Sequence, residues 1–155
     1  MKKIIKLVLV LLWMGLIFMF SNQNADDSSQ VSDGLIVKTA SIFVDKNLSN
    51  DKKEELIEKY SHIVRKTAHF TIYLVLGVLV LNFILELDLK HIIMVSLCIC
   101  ILYSMSDEFH QMFIDGRSGE LLDVLIDSIG SYVGIVLFYN IRKKFLIFFN
   151  KKSLT

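Results

Sequence analysis

The stretch "LLDVLIDSIGSYVGIVLFYNI", Leu121 to Ile141, decides the fold. Crossing a hydrocarbon layer of roughly 30 Å takes about 20 residues of helix, and this run has that length with only Asp123 and Asp127 charged. It shows no period-2 alternation. Backbone groups in lipid have no water to bond, so the run is predicted to be an α-helix and not a strand of a closed barrel. At 1.5 Å per residue Asp127 lies about 9 Å into such a helix, too deep for a solvated loop charge. An unpaired charge at the bilayer centre costs at least ~2.5 kcal/mol on insertion scales, so Asp127 needs partners.

Three further stretches have the same character: Ile4 to Phe20, interrupted by Lys6; Ile63 to Leu85, polar only in its first two turns; and His91 to Phe113. The expected architecture is an all-α integral membrane protein, a four-transmembrane-helix bundle forming one domain. Its spans are 4–20, 63–85, 91–113 and 121–141, with a polar extracytoplasmic segment 21–62 and a basic tail 142–155. Composition agrees, for 54% of the 155 residues are hydrophobic, proline is absent and mean hydropathy is +0.54. Lys2, Lys3 and Lys6 ahead of the first run also suit a signal peptide. No small-x-small cleavage site follows in Phe20, Ser21, Asn22, Gln23, so an uncleaved anchor is expected.

Charge sets the orientation. Residues 1–20 and 128–155 contain no Asp or Glu, while basic residues gather at both ends. The positive-inside rule then puts both termini in the cytoplasm, which an even number of helices permits. The net charge of +1 thus conceals a basic cytoplasmic fringe able to hold anionic headgroups, although a topology signal is its simpler meaning. No nucleic-acid-binding motif occurs. Arg65 and Lys66 open the second span on the outer side, against the rule, and need a separate reason to be there.

In the outer segment Val31, Leu35 and Ile42, with Ile36 and Phe43, fall near helical spacing and predict a short amphipathic helix on the membrane surface. From Asn50, "NDKKEELIEKYSHI" predicts another helix with no Gly or Pro before the second span. Cys98 and Cys100 would point about 200° apart on a helix, so a disulfide or two-thiolate clip is not expected and both read as packing residues.

The polar groups of the spans meet by topology. The second helix begins, the third ends and the fourth begins on one side of the membrane. Arg65, His69 and Tyr73 form one stripe with Lys66 beside it. Tyr103, Asp107, His110 and Gln111 share a face with Glu108 about 100° away, and Asp123 and Asp127 lie one turn apart. Gly130 and Gly134, a G-x-x-x-G, would allow close helix approach. The plain alternative is an intramembrane lock of ion pairs. Individually, Glu120 and Asp115 read as solvated turn charges, Lys66 as able to snorkel, and His62 and His91 as interfacial. Tyr73 and Tyr103 suit packing or donation equally.

"VRKTAHFTIYLVLG", Val64 to Gly77, and "SDEFHQMFIDGRSGELLDVLIDSIGSYVG", Ser106 to Gly134, resemble the paired signatures of the VanZ-like family, and "FSNQNADDSS" resembles its polar exit from the first helix. The matching positions would make Arg65, Lys66, His69, Tyr73, Asp107, Glu108, His110, Gln111, Arg117 and Asp123 the family's characteristic polar residues. The chain departs from the family with Ile72 for a common Glu, Asp115 for Pro and Asp127 for Asn. The resemblance implies a bacterial multi-pass membrane protein, the founding member being linked to low-level resistance to the glycopeptide teicoplanin. It implies no particular biochemical activity.

Two functions follow as expectations. In the first, Arg65, Lys66, Tyr73, Gln111, Arg117 and Asp127 bind an anionic or lipid-linked cell-envelope component at the outer leaflet, the arginines meeting phosphate in bidentate fashion. In the second, an integral-membrane enzyme acts on a lipid-linked phosphate, with candidates His69, Asp107, Glu108, His110 and Asp123 as general base and its orienting acids. These groups can also hold a divalent metal through nitrogen and oxygen, but the D-E-x-H order matches no metal motif and no metal ligand is assigned. A scaffold role and a homo-oligomer stay open. Transport ranks last, because no inverted repeat is present and the cluster lies near one surface.

Overall fold

The computed structural model describes residues 1–22, 50–114 and 119–152, with the side chains of 50–59, 61–62 and 148–152 outside the description. Among the described residues it is all helical: α1 (Lys2–Ser21), α2 (Asn50–Ile84), α3 (Ile92–Gln111) and α4 (Leu121–Lys152). Each contains a span long and apolar enough to cross a membrane, at Lys2–Ser21, Ile63–Ile84, Ile92–Gln111 and Leu121–Ile147. The surface amphipathic helix expected over 31–43, and Asp115 and Arg117, lie outside the described residues.

α2 begins at Asn50, where the sequence predicts a helix, and runs without a break into the second span. The basic tail is not a separate piece, since α4 continues through Arg142, Lys143 and Lys144 to Lys152. The reason is local: residues 142–152 hold no Gly or Pro to stop a helix, and the basic triplet is followed by apolar Phe145, Leu146 and Ile147. The spans also satisfy their own hydroxyls. Thr67, Thr71, Ser96 and Ser128 each donate to the carbonyl four residues back, so these four hydroxyls need no water.

α2 and α4 form the closest pair, and small residues permit it. A Cβ on Gly77 would overlap the carbonyl oxygen of Ser131, one on Gly130 that of Phe70, and one on Gly134 that of Leu74. Backbone-to-backbone approach replaces the hydrophobic drive that lipid cannot supply between helices. Ser131 adds a buried bond from its hydroxyl to the Tyr73 carbonyl, 3.2 Å. Leu76, Val80, Leu81, Cys100 and Ile135 fill the interior. Cys98, by contrast, is exposed and is not the interior packing residue the sequence suggests, because it lies on the outer face of α3.

α1 lies against α2 and, to a smaller extent, α3, and polar stitches hold it there. Trp13 Nε1–H donates to the Ile72 carbonyl at 3.0 Å, and the Tyr103 hydroxyl donates to the Met14 carbonyl at 2.6 Å. Near its start Lys6 Nζ lies 2.5 Å from Glu86 Oε1 and 3.2 Å from the Asn82 carbonyl oxygen. The turn between α2 and α3 carries two non-glycine residues with left-handed backbone, Asp88 at φ 51° and His91 at φ 57°.

The hydrogen bond from Lys6 holds the Glu86 carboxyl below its ordinary value. A depressed folded-state pKa means the pair stabilises above the unfolded carboxylate pKa and loses that effect as pH falls through the depressed value. The melting-temperature gap between the wild type and Glu86→Gln should be small, constant from neutral pH into mild acid, and then close. A gap that widens in acid would contradict this pairing.

Candidate functional site

The C-terminal end of α1 and of α3 and the first turns of α4 meet α2 between Arg65 and Tyr73, and the polar side chains there sort into three linked groups. At the entrance Lys66 Nζ pairs with Asp123 Oδ1 at 2.6 Å and Glu120 Oε2 at 3.2 Å. Glu120, its side chain 42% exposed, stays a solvated charge at the turn while it pairs with Lys66. Its backbone N–H also donates to Glu108 Oε2 at 3.0 Å, tying the start of α4 to the end of α3.

The second group sits deeper, on α2, α3 and α4. Asp127 is completely buried, and its Oδ2 accepts a 2.8 Å hydrogen bond from the Ser104 hydroxyl. His69 Nδ1 stands 3.4 Å from Asp127 Oδ1, near enough for an ion pair when the imidazole is protonated. The contact lacks hydrogen-bond geometry, so His69 Nδ1, Asp127 Oδ1 and Glu108 Oε1 are all buried without a hydrogen-bond partner. Such atoms are uncommon in folded proteins and call for a cause. One candidate ligand atom from each of His69, Glu108 and Asp127 falls within 4.8 Å of the other two.

The third group faces α1. Asp107 Oδ2 accepts from Ser21 Oγ at 2.8 Å, from Tyr73 OH at 3.3 Å and from Gln111 Nε2 at 3.3 Å, while Gln111 also donates to Ser21 Oγ at 3.3 Å. Asp107, Gln111, Tyr73 and Ser21 are all buried. Tyr73 is thus a core aromatic and a hydrogen-bond donor at once.

His69, Tyr73, Asp107, Glu108, Gln111, Asp123 and Asp127 are therefore gathered at one end of the bundle, though in three neighbourhoods and not in a single ring. His110 is not among them. It stacks on Phe18, ring centroids 4.6 Å apart, with Nε2 3.4 Å from Asn22 Oδ1, because its place on α3 turns it to α1 and the exterior. Arg65 is half-buried, one turn outward of His69, and makes no ion pair among the described residues. Ser21, Ser104 and Ser131 are partners that charge-centred reading of the sequence missed. The available signal was small hydroxyl residues on the same helix faces as the charges.

The balance of charge is acidic. Asp107, Glu108, Glu120, Asp123 and Asp127 face Arg65, Lys66 and His69, and Lys66 already bridges two of the carboxylates. A phosphate in the interior would meet unneutralised carboxylate oxygens, whereas a cation there would meet ligands. The interior is built for positive charge, and of the described cations at this end of the bundle Arg65, on the rim, has no ion pair.

No curated protein and no solved structure matches the chain. The family model described as VanZ/LLP1 matches residues 6–146, which contain both long signatures and all three polar groups, and the chain belongs to that family.

Proposed function

We propose that the protein is a multi-pass membrane protein of the bacterial cell envelope, both termini cytoplasmic, whose polar end lies at the outer leaflet and binds the head of an anionic, lipid-linked component. The observation that carries this reading is Arg65, half-buried beside the cluster and without an ion-pair partner among the described residues. A guanidinium at a membrane interface is well matched to phosphate through paired N–H donors. Lys66, being bridged to Glu120 and Asp123, would act by holding the rim together and not by meeting the ligand. Teicoplanin carries an acyl chain and would reach the same interface, so altered access of the drug to its target is a consequence of this reading.

Retention of anionic lipid tests it. Protein purified from nanodiscs of mixed phosphatidylglycerol and phosphatidylcholine should keep phosphatidylglycerol selectively. Charge-assisted hydrogen bonds contribute about 1.5–3 kcal/mol, so Arg65→Ala should lower that selectivity by at least roughly tenfold. Equal retention by the wild type and Arg65→Ala would overturn the reading.

A second reading, turnover of a lipid-linked phosphate, is favoured by His69 lying 3.4 Å from the buried carboxylate of Asp127 with Glu108 alongside. That pair has the parts of a general base and its orienting acid. Its test is hydrolysis of lipid-linked diphosphate by the reconstituted protein, which Asp127→Asn would abolish.

A further inference from the structure

We propose that His69, Glu108 and Asp127 form a binding site for a divalent transition-metal ion of the zinc or manganese class. The three residues come from α2, α3 and α4, and their ligand atoms lie within 4.8 Å of one another. Neither carboxylate is loosely placed. Glu108 Oε2 is held by the Glu120 backbone N–H at 3.0 Å and Asp127 Oδ2 by the Ser104 hydroxyl at 2.8 Å. In each case the other oxygen, Glu108 Oε1 and Asp127 Oδ1, is buried and lacks a hydrogen-bond partner, as does His69 Nδ1. Asp127 is 0% and Glu108 5% exposed, so bulk water is not their partner.

This division of labour, one oxygen anchored and its twin free, is how outer hydrogen bonds orient metal ligands. A folded interior that brings two carboxylates and an imidazole together needs something to offset their repulsion and lost hydration. One dication supplies both charges and satisfies all three lone pairs. The donor set selects among ions. An imidazole nitrogen with two carboxylate oxygens suits zinc or manganese, while magnesium and calcium prefer oxygen-only surroundings. Three protein ligands leave at least one position of a four-coordinate ion for water or another ligand. Spacing along the chain could not disclose the set, because its members stand on three helices.

The site does not depend on lipid binding at Arg65, and the test is therefore run without lipid. Untagged full-length protein in detergent micelles, stripped with chelator, is titrated with Zn²⁺ and separately with Mn²⁺. About one equivalent should bind per chain, and His69→Ala, Glu108→Gln and Asp127→Asn should each weaken binding by at least roughly tenfold. A second measurement does not need these variants to fold. The chain has 4 histidines, so a triple His62→Ala, His91→Ala, His110→Ala protein keeps His69 alone. Mn²⁺ bound to it should still show imidazole-nitrogen coupling in its electron spin echo. The proposal is overturned if the wild type binds only traces of both ions, if folded site variants titrate as the wild type does, or if the triple variant loses the nitrogen coupling.

Discussion

Replacing Gly134 with leucine should remove most of the folded protein from the membrane, and even Gly134→Ala should lower its melting temperature measurably. A Cβ at this position overlaps the carbonyl oxygen of Leu74, a backbone atom of α2 that cannot rotate away as a side-chain tip can. Relief requires α2 and α4 to separate, which also draws apart Gly77 from Ser131 and Gly130 from Phe70 and strains the Ser131 bond to the Tyr73 carbonyl. Overpacking of this kind costs about 1–3 kcal/mol for a small addition and more for a large one. For a chain of this size that corresponds to a fall of roughly 3–10 °C for alanine. Gly15 on α1 is the control: nothing lies within 4 Å of a Cβ there, so Gly15→Ala should be neutral. Equal melting temperatures for the two alanine variants would show that the close approach of α2 and α4 is wrong.

The second large effect is expected at Asp107. Its Oδ2 is the acceptor shared by Ser21, Tyr73 and Gln111, each buried. Asp107→Leu leaves those donors without their acceptor. Gln111 can still donate to Ser21, so two donors are stranded, and at about 1–3 kcal/mol per buried unsatisfied group the loss should be roughly 2–6 kcal/mol. Asp107→Asn keeps the shape and one acceptor oxygen and should cost about 1 kcal/mol. The same bond joins α1 to α3, so Asp107→Leu should also loosen α1, seen as faster proteolysis after Ser21. A Ser21→Ala, Asp107→Ala double-mutant cycle, in which each change removes the bond, should return a coupling of about 1 kcal/mol, and additivity would deny the bond.

Hydropathy made the four spans legible because apolar length is imposed by bilayer thickness and needs no tertiary information. The side of the bundle on which the charges gather was equally legible, since consecutive spans must alternate in direction. Pairing was not. Lys66 looked like a ligand, yet it pairs with Glu120 and Asp123 across more than fifty positions, set by the rotation of α2 against α4. That rotation follows from which glycines contact which carbonyls, information that a single helix does not contain. His110 shows the limit from the other direction: it shares a helical face with Asp107 within the breadth of that stripe, but α1 arrives on its side and Phe18 covers it. Asp127 was flagged by depth alone. Its partners, Ser104 and His69, required three helices to be placed together.

The most direct measurement is an experimental structure of the full chain in lipid nanodiscs at a resolution that shows side chains. Ser104 and Asp127, Ser21 and Asp107, and Lys66 and Asp123 should lie within hydrogen-bond distance of each other at one interface of the bilayer, with His69 turned toward Glu108. Finding Asp127 or Asp107 directed into the acyl chains, or His69 on the opposite face of α2 from α4, would contradict this arrangement.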